Sequence, residues 1–149
     1  MFFQEVNWDL IGPIQVAGID GSRYAITFTE AKSRMRWLYT MKAKTETAEK
    51  IKIFKNEIEA MGFKLRLLKT DNGGEFVSDE LKDYAAGNFV LRTTPPHTPK
   101  SNGTAERYNR VLGERTRAML KHKQLPLFLW AEAMKSITFL CIRTPTVSV

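Results

Sequence analysis

Residues 45–70, TETAEKIKIFKNEIEAMGFKLRLLKT, contain a change of hydrophobic period that decides the fold class. In their first part Ile51, Phe54, Ile58 and Met61 recur at helical spacing, which predicts a helix between Thr45 and Gly62. Glu46 and Glu49 stand in its first turn, where the helix dipole favours a carboxylate, and Gly62 is placed to cap its C-terminus. The remaining KLRLLKT is a short apolar run of the kind that forms an interior strand. A helix bridging two strands predicts a right-handed crossover and parallel pairing.

Working outward, the first strand covers Val6 to Val16, with Gly12-Pro13 marking an irregularity or edge position partway along. Asp20-Gly21 reads as a tight hairpin turn into RYAITFTE. There Tyr24, Ile26 and Phe28 alternate with Ala25, Thr27 and Thr29, as in a half-buried strand. In RMRWLYTM the side chains of Met35, Trp37, Tyr39 and Met41 share one face. Downstream, Ser78 caps a helix in SDELKDYAA that stops at Gly87-Asn88, and FVLR forms a fifth, short strand before the loop RTTPPHTPKSNG. A helix from about Thr104 to Lys123 turns Ala105, Tyr108, Leu112 and Met119 inward. Leu125-Pro126 then opens a last helix carrying FLWAEAMKSITFL. The order β-β-β-α-β-α-β-α-α implies an α/β protein. Its mixed five-stranded sheet has three antiparallel strands plus two parallel ones, flanked by helices.

The 149 residues fit one domain, and 43% hydrophobic with 26% charged residues is a globular rather than a disordered profile. A net charge of +7 suits a polyanionic partner such as nucleic acid. Cys141 is the one cysteine, so the chain forms no disulfide or cysteine-based zinc site of its own; in SITFLCI it reads as a small buried residue. No apolar run approaches the roughly 20 residues of a membrane span, and no membrane partner is expected. MFFQEVNWDL carries neither a basic leader nor a signal-length apolar stretch, so the expected compartment is intracellular and reducing.

Three carboxylates draw notice. Asp71, in TDNGGEF, follows directly on KLRLLKT, and ligands gather beyond the carboxyl ends of strands in open α/β sheets; Asp-Asn-Gly-Gly is equally a good turn. Asp9, in WDLIGPI, is a charge inside an apolar strand and needs a partner or a job. Glu106, in HTPKSNGTAERYNR (residues 97–110), is a first-turn helix charge with Arg110 four residues on as an available ion-pair partner. Each alone has a bland structural explanation. Together, at the end of two adjacent parallel strands and the entrance of a helix packed beside them, they would repel one another unless cations neutralised them. Hard oxygen ligands suit Mg²⁺ or Mn²⁺, and a pair of such ions is a standard device for phosphodiester chemistry.

WDLIGP, FTEAKSRMRWLY, TDNGGEF, PPHTPKSNGTAERYNR and LPLFLWAEA, in this order, resemble the integrase catalytic core of Ty1/copia-type retrotransposons. That core is similar to the retroviral integrase core and has a ribonuclease-H-like fold. The resemblance runs from about Val6 to Pro145, and SNGTAERYNR coupled to TDNGGEF is its specific part. It implies that Asp9, Asp71 and Glu106 are the catalytic, metal-binding triad, with two Mg²⁺ or Mn²⁺ ions. It implies 3′-end processing of element DNA by water, then strand transfer by the exposed 3′-hydroxyl into target DNA. A homodimer or higher homo-oligomer through the core, and a nuclear location for the active family member, belong to the same expectation.

Asn102 and Gly103 let the loop bring backbone close to DNA, with Lys100 beside them, and Arg110, Arg117 and Lys121 flank Glu106 as phosphate contacts. A solvated helix face is the plain alternative for those three. Asn72 and Asn109 match the family motif without a derivable role; His97 is a loop residue near DNA rather than a metal ligand; Trp37 and Trp130 are core aromatics. The chain departs from the family in three places. There are 34 residues between Asp71 and Glu106, one fewer than usual, and the shortening falls in YAAGNFVLR. Glu30 and Ala31 stand where the family commonly has two acidic residues. The N-terminal zinc module and C-terminal DNA-binding region are missing, so residues 1–149 are expected to be the catalytic core domain alone. The leading reading is an integrase core, a metal-dependent polynucleotidyl transferase and endonuclease. The alternatives are an inactive or co-opted nucleic-acid-binding remnant, and a ribonuclease-H-type nuclease.

Overall fold

The alternation of residues 24–30 and 36–41 becomes two neighbouring strands of one sheet, the second at its edge, in a computed structural model that describes residues 2–3, 5–70, 77–93 and 103–143. In chain order the elements are β1 (Phe2–Phe3), β2 (Val6–Ile11), β3 (Tyr24–Glu30), β4 (Arg36–Met41), α1 (Thr47–Ala60), β5 (Lys64–Leu65), β6 (Leu67–Thr70), α2 (Asp79–Ala85), β7 (Val90–Thr93), α3 (Gly103–His122) and α4 (Trp130–Arg143). The main sheet has the order β4-β3-β2-β6-β7. Its β4–β3 and β3–β2 pairs are antiparallel, and its β2–β6 and β6–β7 pairs are parallel. This is the mixed sheet that the order of elements implies.

Helices cover both faces. Against one, α1 and α2 bury Ile51, Phe54, Ile58 and Leu81 on Val6, Trp8, Ile26, Phe28 and Leu68. Phe28 and Phe54 stack with ring centroids 4.1 Å apart. Against the other, α3 and α4 bury Tyr108, Leu112, Trp130, Ala131, Met134 and Ile137 around Ala25, with Ile11 and Leu38 packed against them. Trp37 and Trp130 are core aromatics, as expected. β3 is not half-buried: Ala25, Thr27 and Thr29 are all buried, because α3 and α4 cover the face that alternation alone assigns to water. Thr27 and Thr29 are tolerable there because a hydroxyl can be satisfied by a neighbour, and polar residues inside a strand do not by themselves mark a wet face.

The first strand stops at Ile11 instead of running on to Val16. Gly12 sits at φ +122°, and a side chain there would meet the Arg23 carbonyl oxygen at 2.6 Å, so the ladder gives way to a loop at this glycine. Gly21 N–H closes a turn on the Gly18 carbonyl at 2.9 Å, while Asp20 accepts from Ser22 N–H at 3.0 Å. Trp130 Nε1 donates to the Val16 carbonyl at 2.8 Å and pins this loop to α4.

KLRLLKT is two strands, not one. At Arg66 the backbone serves two sheets: its N–H donates to Phe3 at 3.1 Å and its carbonyl accepts from Val90 at 2.9 Å. β5 thereby pairs with β1, a small second sheet that the sequence pattern does not announce. α1 begins after a 3₁₀ turn, Lys44–Glu46, and Glu46 reaches back to accept from Lys42 and Ala43 N–H at 2.5 and 2.8 Å. Gly62 caps its far end at φ +89°, with Phe63 N–H bonded to the Ile58 carbonyl at 2.9 Å. Met61, read as an inner-face residue, is 49% exposed because this cap turns it outward. Ser78 caps α2, its Oγ accepting from Leu81 N–H at 3.2 Å. The turn after α2 closes at Gly87 (φ +81°), and β7 then pairs with β6 from Leu67↔Val90 to Thr70↔Thr93. A shortening in YAAGNFVLR therefore leaves β7 in full register.

Glu30, at the end of β3 beside the departure Ala31, has a local job. Its buried carboxylate accepts from the backbone N–H of Lys32 at 3.1 Å and of Ser33 at 2.5 Å, closing the turn into β4. Burial pushes its pKa up, but the Ser33 and Lys32 hydrogen bonds outweigh burial and hold it below its ordinary value of 4.5. A carboxylate depressed in the folded state contributes stability that is present above its unfolded value and lost as pH falls through the folded one. Glu30→Gln is therefore expected to cost about 1–2 kcal/mol at neutral pH by thermal or urea melts, with the gap to the wild-type chain closing below pH 4.5. A gap that stays constant down to pH 2.5 would contradict this.

Candidate active site

The sheet face under α3 and α4 carries a short polar row among its apolar residues. Asp9 is the fourth residue of β2 and lies directly opposite Thr27 on β3. Its neighbours Trp8 and Leu10 point to the other face and join the α1 core, so strand alternation sends Asp9 toward α3. Its Oδ1 accepts from Leu10 N–H at 2.8 Å, and its Oδ2 accepts from Asn109 Nδ2 at 2.7 Å. Asn109 Oδ1 in turn accepts from the Thr27 hydroxyl at 3.3 Å. One amide side chain thus bridges two adjacent strands from the helix above them.

Asn109 is held in place by its neighbours on α3. Tyr108 is buried, its hydroxyl 3.3 Å from Thr138 Oγ1 on α4, and the Arg36 guanidinium lies 3.5 Å from its ring centroid. Burial lowers the Arg36 pKa and raises that of Tyr108, although the cation beside the ring opposes the latter. With Leu112 fully buried one turn on, these contacts fix the rotation of α3 about its axis.

That rotation places Glu106. It precedes Asn109 by three residues, hence about 4.5 Å along the helix and on nearly the same side. It is exposed and, among the described residues, has no ion pair; Arg110, read as its available partner, instead lies 4.0 Å from Glu114. The plain reading of Glu106 as half of a surface pair is therefore not what the helix adopts. Asp71 lies outside the described residues, as do Asn72, His97, Lys100 and Asn102. The described part of β6 ends at Thr70, which is buried and follows Leu68 and Lys69, the residues paired in parallel with Val6 and Asn7 of β2. Gly103 opens α3, and Arg110, Arg117 and Lys121 are exposed along it.

Asn109 is the residue whose role sequence reasoning missed. The signal that could have found it is its spacing, one helical turn after Glu106 on the face that must meet the sheet. Among the described residues no group of three His, Cys, Asp or Glu side chains is placed to hold a metal. The chemistry of Asp9 nevertheless fits a hard cation, since its carboxylate supplies the hard oxygen donors that such ions take.

No protein-family model matches the chain. It is 36% identical over 141 residues to the retrovirus-related Pol polyprotein from transposon TNT 1-94 of Nicotiana tabacum, covering 93% of this chain and 11% of that protein. It is 37% identical over 134 residues to the corresponding polyprotein from transposon RE2 of Arabidopsis thaliana, covering 88% and 9%. The transposon Ty1-DR6 Gag-Pol polyprotein of Saccharomyces cerevisiae is 27% identical over 146 residues. The chain thus spans about a tenth of the length of the curated relatives it matches. In fold it is similar to a chain of the simian T-cell lymphotropic virus intasome in complex with a PP2A regulatory subunit, with TM-score 0.73 and 19% identity over 98% of this chain and 50% of that one. It is also similar to the HTLV-2 integrase catalytic core domain in complex with magnesium in its dimeric form, with TM-score 0.67 and 17% identity over 97% and 89% of the two chains. These likenesses establish the ribonuclease-H-like fold.

Asn109→Ala removes the bridge and leaves Asp9 and Thr27 short of a partner, with an expected loss of about 1–3 kcal/mol in chemical denaturation. Asn109→Asp sets two carboxylates against each other and is expected to cost more at pH 8, with part of the loss recovered near pH 4 where the pair shares a proton. Equal, pH-independent losses in the two variants would mean that the bridge does not hold Asp9.

Proposed function

We propose that this chain, whose homologues are Ty1/copia-type Pol polyproteins, serves as a retrotransposon integrase core: a polynucleotidyl transferase that carries out 3′-end processing and strand transfer on DNA. The observation that carries the reading is Asp9, seated on β2 and tied by Asn109 to the helix turn that presents Glu106.

In this reading Asp9, Asp71 and Glu106 hold two divalent ions, Mg²⁺ or Mn²⁺. When bound, such a pair activates an attacking oxygen and stabilises a leaving oxygen at phosphorus, which suits a water in the first reaction and a 3′-hydroxyl in the second. The remaining work belongs to the chain. Asn109 keeps the Asp9 carboxylate turned toward α3, so the ligand does not have to be ordered when substrate arrives. Glu106, exposed at the entrance of α3, faces the side from which DNA approaches. Arg110, Arg117 and Lys121 offer cations along the same helix to successive phosphates. Gly103, with Asn102 and Lys100 before it in sequence, permits close approach of backbone to the duplex. A nuclear site of action, as expected for an active member of the family, belongs to the same reading.

Self-association through the core belongs to the same reading. Met61, Phe139 and Ile142 are exposed large apolar side chains that line one hollow between α4 and the end of α1, and such patches mark interaction surfaces. Sedimentation velocity is expected to give a mass above one chain; a monomer at every concentration would remove this part.

The decisive experiment is a disintegration and nicking assay on branched DNA with Mg²⁺ or Mn²⁺. Activity is expected for the chain as it stands, loss on chelation, and a fall of at least about 100-fold in Glu106→Gln. Binding without turnover with either ion would instead support a non-catalytic nucleic-acid-binding remnant. Retained activity in Glu106→Gln would remove the glutamate from the site.

A further inference from the structure

A second concentration of charge lies at the opposite ends of the parallel strands. Where β5 gives way to β6, the turn after α2 and the outer part of α1 close around an open hollow of about 790 Å³. Lys55, Lys64, Arg66 and Arg92 line it with a single acid, Glu59. Glu59 is engaged by Lys55 at 2.5 Å. Among the described residues, Lys64 and Arg92 enter no ion pair, and both are exposed. Arg66, also exposed, stands at the strand break that forms the wall between them.

The placement is not that of an ordinary solvated face. Lysines on a convex helix surface diverge into water. Here cations from the β5–β6 break and from β7 converge on one concavity, where low-dielectric walls focus the potential of like charges. Such convergence is unfavourable unless an anion is drawn in. Two features favour a phosphodiester backbone over an acidic peptide. The arginine forks match phosphate oxygens bidentately. Val90 is the one exposed large apolar side chain on the lining, so the hollow offers little to anchor a peptide. In the β2–β6 register Val6 lies opposite Leu68, so Arg66 and Asp9 are offset by five residues, about 16 Å along the strands, and this hollow is distinct from the Asp9 site.

We propose that this hollow is a second phosphate-binding site, which takes the backbone of a nucleic acid strand away from the catalytic carboxylates. The proposal rests on the DNA-binding part of the function above for the identity of the anion, but not on catalysis.

The test is duplex binding by fluorescence anisotropy across a salt series, using the full chain. One variant combines Lys64→Gln, Arg66→Gln and Arg92→Gln; a second combines Arg110→Gln, Arg117→Gln and Lys121→Gln. Each lost phosphate contact removes about 0.9 from the slope of log K against log salt, so the first variant, short of three cations, is expected to lose up to about 2.7 and to weaken binding equally across sequences. The charge-conserving set Lys64→Arg, Arg66→Lys and Arg92→Lys is expected to restore the slope, which separates charge from folding. An unchanged slope in the first variant alongside a reduced one in the second overturns the hollow and leaves the function above intact. The reverse result upholds the hollow and removes the α3 contacts. Inorganic phosphate titrated alone, followed at the Gly87 and Asn88 amides by NMR, distinguishes the source of the anion: displacement by duplex supports a nucleic acid, whereas phosphate that duplex cannot displace overturns it. Equal competition by poly-glutamate of matched charge would also overturn it.

Discussion

The hydrogen bond from Asn109 Nδ2 to Asp9 Oδ2, 2.7 Å long, joins residues a hundred positions apart and holds the helix side of the molecule to the sheet side. Without it, the half-buried Asp9 carboxylate would lose the charge-assisted hydrogen bond to its Oδ2, and a polar group that gives up a partner under a helix costs stability. With it, the strand charge, the Thr27 hydroxyl and the helix amide form one small satisfied network in an otherwise apolar layer. The network also fixes α3 in rotation, together with Tyr108 and Leu112, and so decides which way Glu106 faces.

The same constraint explains the division of the sheet. Trp8 and Phe28 pair across β2 and β3 on the α1 face, and Asp9 and Thr27 pair on the α3 face one residue on. A slip of one residue would exchange the two sets, putting Trp8 under Asn109 and Asp9 against Phe54. Large aromatic packing on one face thereby holds the polar row in register on the other. The hydrophobic core thus sets the register in which the Asp9–Asn109–Thr27 network forms.

How much of this could be read from the sequence follows the range of the forces involved. The Ile51, Phe54 and Ile58 spacing, the Ser78 cap and the Gly62 stop are local signals, and each forms the predicted element. The burial of both faces of β3 is not legible in its alternation, which cannot reveal a helix that arrives about eighty residues later to cover the Thr27 face. The break of KLRLLKT at Arg66 depends on Phe3, a partner also remote in sequence. At the site, Asp9 is a candidate from the sequence because a charge inside an apolar strand is an oddity, whereas Glu106 is an ordinary first-turn charge that becomes a candidate only beside Asp9, Asp71 and the family motif. Asn109 carries no such oddity: an asparagine on a helix is ordinary until the strand beneath it is known.

The central claim is that the β2–α3 junction brings Asp9 and Glu106 together as ligands of divalent metal. Titrating Mn²⁺ into the full chain and following paramagnetic broadening of backbone amides reads this directly. The expected result is broadening centred on Asp9, Leu10 and Glu106, weakened by Asp9→Asn and by Glu106→Gln alike. Broadening centred elsewhere, or unaffected by either substitution, would contradict it.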